Sequence, residues 1–322
     1  MDKVVRERPE QPHYLAIFVS PHLDDAVFSC GGLMAKLLQE GAVLVLNLFT
    51  HYPSDLKIHG AVLGAERYQE EADAARFLGF ESRNLGELDA PFRQSSYRQL
   101  GNLFRPPAQQ DMDGLPALRQ KLCDVLEKID YDHIYVPLGI GWHVDHVLTH
   151  LVFESLKDSK KLLYYEDAPY CCIPHATRYR LNDMANYPRA ANDISLQPTH
   201  ELRAWWQAAM AYADTALMKN LQPWIIRQCA VPAVGYYLFR LMAHHRRTEL
   251  SASKHSLQSI LVPITEQLDR KVDAMMLYRS QFGEFFSSRH DSIDTLAAYA
   301  KGMGETAVER YWVVDNKDNF VE

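Results

Sequence analysis

The strongest constraint on this chain is a switch of hydrophobic period that repeats through its first half. Residues 13–19 (HYLAIFV) form a short apolar run that stops at Ser20-Pro21. A run of this length reads as a strand buried on both faces. Residues 26–39 then take helical spacing and end at Gly41. The alternation continues with a strand over 43–49, a helix over 62–78 capped by Gly79, and a weak strand over 83–88. It goes on with a helix over 115–129, a strand over 133–138, a helix over 143–157 and a strand over 161–165. Strands alternating with helices make βαβ units, whose right-handed crossovers build a parallel sheet covered by helices. The expected fold is α/β: a Rossmann-like, mostly parallel sheet flanked by helices.

The texture then changes. Residues 199–220 and 224–247 have helical spacing and many aromatics. Residues 257–279 read as one more helix, broken inside at Pro263, and 311–314 (YWVV) as a last strand before a polar tail. No internal repeat or low-complexity segment is present. The expected organisation is an α/β catalytic core over 1–175, a mainly helical insertion or lid over 176–256, and a C-terminal helix and strand over 257–322 that return to the core.

Charge and cysteine usage exclude several classes. Of 322 residues, 34 are Lys or Arg and 41 are Asp or Glu, a net charge of −7. No overall basic field exists to attract nucleic acid. The cysteines, Cys30, Cys123, Cys171, Cys172 and Cys229, are odd in number and form no CxxC pair. This pattern suits a reducing compartment. The charged N-terminus has no apolar core of a signal peptide, and no apolar run reaches the ~18 residues of a membrane span. A cytoplasmic location is expected. Trp205-Trp206 and the run 224–242, flanked by Arg227, Arg240 and His244–Arg247, allow a membrane-surface reading. Packing of this helical segment on the sheet is the preferred expectation, and a hydrophobic lid over the substrate lies between the two.

Two polar clusters carry the chemistry. Ser20-Pro21-His22-Leu23-Asp24-Asp25 follows the first strand, and Gly141-Trp142-His143-Val144-Asp145-His146 follows the strand over 133–138. Ligands of open α/β sheets bind at the carboxyl ends of strands, where both clusters fall. Either cluster alone fits a helix cap with a satisfied histidine. Together, at two strand-to-helix junctions of one domain, they point to metal-assisted hydrolysis. Zinc takes imidazole nitrogen and carboxylate oxygen and keeps a position open for water in catalytic sites. His22, Asp25 and His146 form such a set. Asp24 is left to take a proton from the water, which bound zinc acidifies. His143 shares a helical face with His146 and can face the substrate. Asp145 can orient a histidine through its other ring nitrogen. His150 continues that face and reads as core. Gly31-Gly32 read as a site of close helix–strand packing, since no phosphate-binding glycine motif surrounds them.

These two motifs, SPHLDD and HVDH, resemble those of the PIG-L/LmbE-like zinc N-deacetylases. Similarity extends to Leu88–Arg93 (LDAPFR), Tyr164–Tyr170 (YYEDAPY), Lys271–Gln281 and Glu309–Trp312. It covers most of 13–170 and parts of 257–314. The resemblance implies zinc bound by His22, Asp25 and His146. It implies Asp24 as general base, and His143 as oxyanion stabiliser or general acid with Asp145 supporting it. The implied activity is zinc-dependent removal of an acetyl group from an N-acetylated amino sugar or related biosynthetic metabolite. Alternatives are hydrolysis of another N-acyl group, or a catalytically silent binding protein. Retention of Asp24 and His143 favours a catalyst, since metal binding alone needs neither. Ala26 stands where many members have Glu after the double Asp, and Leu23 where Pro is frequent. Arg67, Asp89 and Arg93 lie on segments that line the pocket in similar proteins and are candidate substrate-binding residues. The bland reading is a solvated helix face for Arg67 and loop-fixing ion pairs for Asp89 and Arg93. Glu166 and Asp167, after a strand end, either support the site or sit in a surface loop.

Overall fold

The computed structural model describes residues 12–53, 64–154, 161–183 and 257–314, together with positions 203, 206, 207 and 210. Seven strands form one sheet: β1 (His13–Ser20), β2 (Ala42–Asn47), β3 (Glu81–Asn84), β4 (Asp130–Pro137), β5 (Leu162–Tyr165), β6 (Leu257–Pro263) and β7 (Val308–Val314). Their spatial order is β3-β2-β1-β4-β5-β7-β6. The first five strands run parallel, and β7 and β6 extend the sheet antiparallel. Among the described residues the helices longer than four residues are α1 (Asp25–Leu37), α2 (Gly64–Leu78), α3 (Gln109–Leu126), α4 (Val144–Phe153), α5 (Ala176–Asp183), α6 (Leu268–Met275), α7 (Arg279–Phe285) and α8 (Arg289–Lys301). No helix among them is long and apolar enough to cross a membrane.

This topology locates the site. From β1 the chain winds outward through β2 to β3, then returns to lay β4 on the other side of β1. The strand order therefore reverses between β1 and β4, where Ile17 pairs with Ile134 and Phe18 with Tyr135. Connections leave this point in opposite directions and open a crevice at the carboxyl ends of both strands. β1 can occupy the centre because Ala16 to Val19 are fully buried and need no polar face.

The C-terminal part departs from the sequence expectation. Residues 257–263 are not the start of a helix but the edge strand β6, paired with β7 from Leu257↔Val314 to Pro263↔Val308. Pro263 ends this strand, which costs little where a ladder donor is dispensable. The predicted long helix reduces to α6, and α7 and α8 follow it unforeseen. The final strand is three residues longer than predicted and does return to the sheet, against β5. The helix expected over 115–129 starts at Gln109 and runs through Pro116. The predicted helices over 199–220 and 224–247 lie outside the described residues, except that positions 203, 206, 207 and 210 are helical.

The glycine pair does mark a close approach of α1 to its neighbours. A Cβ on Gly32 would sit 2.6 Å from Ile264, and one on Gly31 would sit 3.1 Å from Lys271. The close approach is of α1 to Ile264, directly after β6, and to Lys271 in α6. Buried Lys271 pairs with Glu309 of β7 at 2.7 Å, and Glu309 accepts from the N–H groups of Gly32 and Leu33. The C-terminal elements are thereby fastened to the helix that begins at the site.

A candidate metal centre at the ends of β1 and β4

The turn after β1 is wired by its own side chains. The Ser20 hydroxyl donates to the His22 carbonyl and accepts from Ala26 N–H at 2.9 Å. Asp25 Oδ2 accepts from the His22 N–H at 2.8 Å. These contacts start α1 at Asp25 and hold His22, Asp24 and Asp25 buried at the crevice.

The loop after β4 needs unusual backbone. Gly139, Gly141 and Trp142 have φ of +83°, +88° and +58°. Gly141 is required twice over, since a Cβ there would lie 2.5 Å from the Tyr170 ring. His143 caps α4, its Nδ1 accepting from the Asp145 N–H at 3.3 Å.

Asp25, His22 and His146 converge. Asp25 Oδ2 lies 3.1 Å from His22 Nδ1 and 3.3 Å from His146 Nε2. The far nitrogen of each ring meets another carboxylate: His22 Nε2 is 3.1 Å from Asp145 Oδ2, and His146 Nδ1 is 2.7 Å from Asp167 Oδ1. Two imidazoles, each backed by a carboxylate and both turned on a third, are a donor set suited to a divalent cation. Two other groupings, His22 with His143 and His146, and His22 with Asp89 and Asp145, place their donor atoms within 4.8 Å of one another. Both suit a cation less well. His143 Nδ1 is engaged by a backbone N–H, so its proton sits on Nε2, which then donates. Asp145 already pairs with Arg93 at 2.6 Å, a cation that would repel a metal ion.

The electrostatics follow from burial and neighbours. Burial works against charge on the His146 ring, but the Asp25 charge and the Asp167 bond prevail and raise its pKa to about 9. His22 is raised in the same way, its bonds to Asp145 and Asp25 overcoming burial. His143 shows the opposite outcome, with burial and then the charge of His22 pushing it down to about 3. Asp24 is raised, first by burial and then by the Asp25 charge, with Arg67 opposing.

The other candidates separate clearly. The Arg67 side chain is only 12% exposed rather than on a solvated face, and its Nη2 donates to Asp24 Oδ1 at 2.9 Å. Asp89 lies at the centre, Oδ1 3.7 Å from His22 Nε2. Arg93 is consumed by structure: it bonds Asp111 at 2.8 Å, the Leu88 carbonyl at 2.7 Å and Asp145 at 2.6 Å. These three bonds are of the loop-fixing kind. The Asp145 carboxylate turns to His22 rather than to His143, which receives only the backbone N–H of Asp145. His150 belongs to the core, with Nδ1 on the Pro137 carbonyl and burial lowering its pKa to about 3. Glu166 and Asp167 are both buried, so the surface-loop reading fails. Glu166 accepts from Thr177, Tyr299, Arg310 and Trp312 and ties β7, α5 and α8 together.

Several neighbours escaped the sequence reading. Tyr52 packs beneath Arg67, 5.3 Å from guanidinium carbon to ring centroid, and its hydroxyl is buried without a hydrogen-bond partner among the described residues. Phe104 stands against His143 and Tyr170 against His146, with Phe285 of α7 behind Tyr170. No spacing rule links these aromatics to the histidines, which come from other elements.

The structure is thus a doubly wound α/β domain with a candidate cation-binding donor set at its switch point. Residues 17–156 match the family model described as PIG-L: GlcNAc-PI de-N-acetylase. The 2'-N-acetylparomamine deacetylase of Streptomyces fradiae is 32% identical over 177 residues, covering 52% of this chain and 61% of the relative. The protein of the same name from Niallia circulans is 30% identical over 187 residues, covering 48% of this chain and 66% of the relative. The matched segment thus spans less than two thirds of either relative. The solved structure of the A40926 pseudoaglycone deacetylase superposes with a TM-score of 0.58 at 18% identity, covering 94% of this chain and 97% of that one. At that identity the likeness is one of fold.

Proposed function

We propose that this protein is a zinc-dependent hydrolase that removes an acetyl group from an N-acetylated amino sugar in a biosynthetic sequence. The observation that carries the reading is Asp25 Oδ2, set between His22 Nδ1 and His146 Nε2, with Asp24 and His143 beside it. Two neutral imidazoles and one carboxylate fit zinc and leave a position open. His22 through Nδ1, Asp25 through Oδ2 and His146 through Nε2 would hold the ion. Bound zinc supplies an acidified water and polarises the amide carbonyl.

The remaining steps belong to the chain's own side chains. Asp24 accepts the proton of the attacking water on its carboxylate and passes it to the departing amine. Its raised pKa suits this use, because a base nearer neutrality is also a competent acid. Arg67 fixes the carboxylate from the side. His143, neutral with its proton on Nε2, donates to the oxygen that gains charge as the carbonyl is attacked. Acetate and a free amino sugar result. The Asp89 carboxylate is assigned to receive sugar hydroxyls or ammonium groups of the substrate.

The two relatives named for 2'-N-acetylparomamine favour an aminocyclitol glycoside as acceptor. Acetate release from 2'-N-acetylparomamine, N-acetylglucosamine and simple N-acyl amides by the zinc-loaded protein tests this. Turnover of the first above the others is expected. No acetate from any N-acetylated amino sugar refutes the activity.

A further inference from the structure

The two candidate histidine ligands are held differently, and one of the holders was not assigned a function above. Asp167 lies two residues beyond β5, as Gly139 lies two beyond β4, and Pro137 pairs with Tyr165 where the strands end. The two loops therefore leave the sheet side by side. Asp167 Oδ2 accepts from the N–H groups of Gly139 and Ile140, both at 2.8 Å. Its Oδ1 meets His146 Nδ1 at 2.7 Å. The carboxylate is buried, and its chain neighbour Glu166 is anchored by four donors, so it has little freedom to turn.

Donor and acceptor counting then fixes the imidazole. Backbone N–H groups can only donate, so Oδ2 must remain an acceptor. A carboxylate offers acceptors on both oxygens, so Oδ1 requires a proton on His146 Nδ1. The neutral ring consequently presents its lone pair at Nε2, the atom 3.3 Å from Asp25 Oδ2. The same side chain also pins the left-handed loop that leads to His143. We infer that Asp167 is a positioning residue: it sets the tautomer and direction of His146 for metal binding and couples that ring to the His143 loop. This rests on the zinc reading above.

Asp167→Asn tests the inference by keeping shape and changing donor pattern. The amide oxygen must stay with Gly139 and Ile140, so the NH2 group faces Nδ1. His146 then has to accept there, its proton moves to Nε2, and the lone pair is lost to the metal. Zinc affinity, measured by competition with a chromogenic chelator, is expected to fall about 10–100-fold. Asp167→Ala instead leaves room for a water that can accept from Nδ1–H. It should be less thermally stable than the Asn variant but bind zinc more tightly than it does. A purely structural role predicts the reverse order of affinities. The inference is overturned if the Asn variant binds zinc within about threefold of wild type, or if the Ala variant binds more weakly than the Asn variant. Should the Ala variant not fold, the Asn measurement decides alone. Wild-type protein that takes up no zinc overturns the metal reading and this inference with it, whereas tight wild-type binding matched by the Asn variant overturns this inference only.

Discussion

Replacing Arg93 separates a structural cation from a substrate contact. Its guanidinium joins two buried carboxylates, Asp145 at 2.6 Å and Asp111 at 2.8 Å, and also bonds the Leu88 carbonyl. At an effective dielectric of about 20, each contact is worth roughly 6 kcal/mol of Coulomb energy before desolvation. Desolvating the cation and both anions removes much of that. In Arg93→Met the cost of burying the carboxylates remains while the attraction is gone. Asp111 keeps the Tyr97 hydroxyl, and Asp145 keeps His22 and the Ala90 N–H. The net loss expected for breaking a buried pair is about 3–5 kcal/mol. For a chain of this size that lowers Tm by about 4–7 °C. The assay is thermal unfolding of the metal-free protein, with kcat and KM measured well below the transition. A released Asp145 also loosens His22, so kcat should fall while KM changes little. An unchanged Tm with a tenfold rise in KM would refute the reasoning and restore Arg93 to the substrate.

Asp24→Asn should retain zinc yet lose about 10²–10⁴ in kcat, because an amide cannot take the water's proton; near-normal turnover in metal-replete protein excludes the base role. His143→Ala should lower kcat with zinc content unchanged, and loss of zinc in that variant would make His143 a ligand. His150 stays neutral in the folded protein down to about pH 3, whereas its unfolded value is 6.5. Its contribution to stability is therefore complete above pH 6.5 and is lost as pH falls toward 3, at up to about 1.4 kcal/mol per pH unit. Unfolding free energies of wild type and His150→Phe should diverge in slope between pH 6.5 and 4, and parallel curves would rule this out.

The sequence was legible wherever the information is local. A buried strand is a run of contiguous apolar residues, and the short runs at 13–19, 43–49, 133–138 and 161–165 each became a parallel strand within a few residues. Helix spacing and caps are likewise written within one or two turns. The two polar clusters were readable because a strand followed by a helix start is a local pattern whose position in an α/β sheet is set by chain direction. Residues 257–263 misled because a short apolar stretch supports either period, and only pairing with β7 selects the strand.

What tertiary structure decided is the partner of each charged group. Nothing near Arg93 in sequence shows that it answers to Asp145, 52 residues away, or near His22 that its far nitrogen meets Asp145, 123 residues away. Arg67 read either as a substrate contact or as a solvated helix face, and its guanidinium in fact pairs with Asp24. Asp167 could be placed after a strand, but its hold on Gly139, Ile140 and His146 depends on β4 and β5 lying side by side. Hydrophobic periodicity is a property of neighbours along the chain, so most elements of the first half and the residue types at their ends could be read from it alone. Hydrogen bonds and ion pairs act over about 3 Å in space with no limit along the chain. Which of those residues face a cation, which face a substrate and which merely hold the others in place was therefore settled only when the sheet brought the strand ends together.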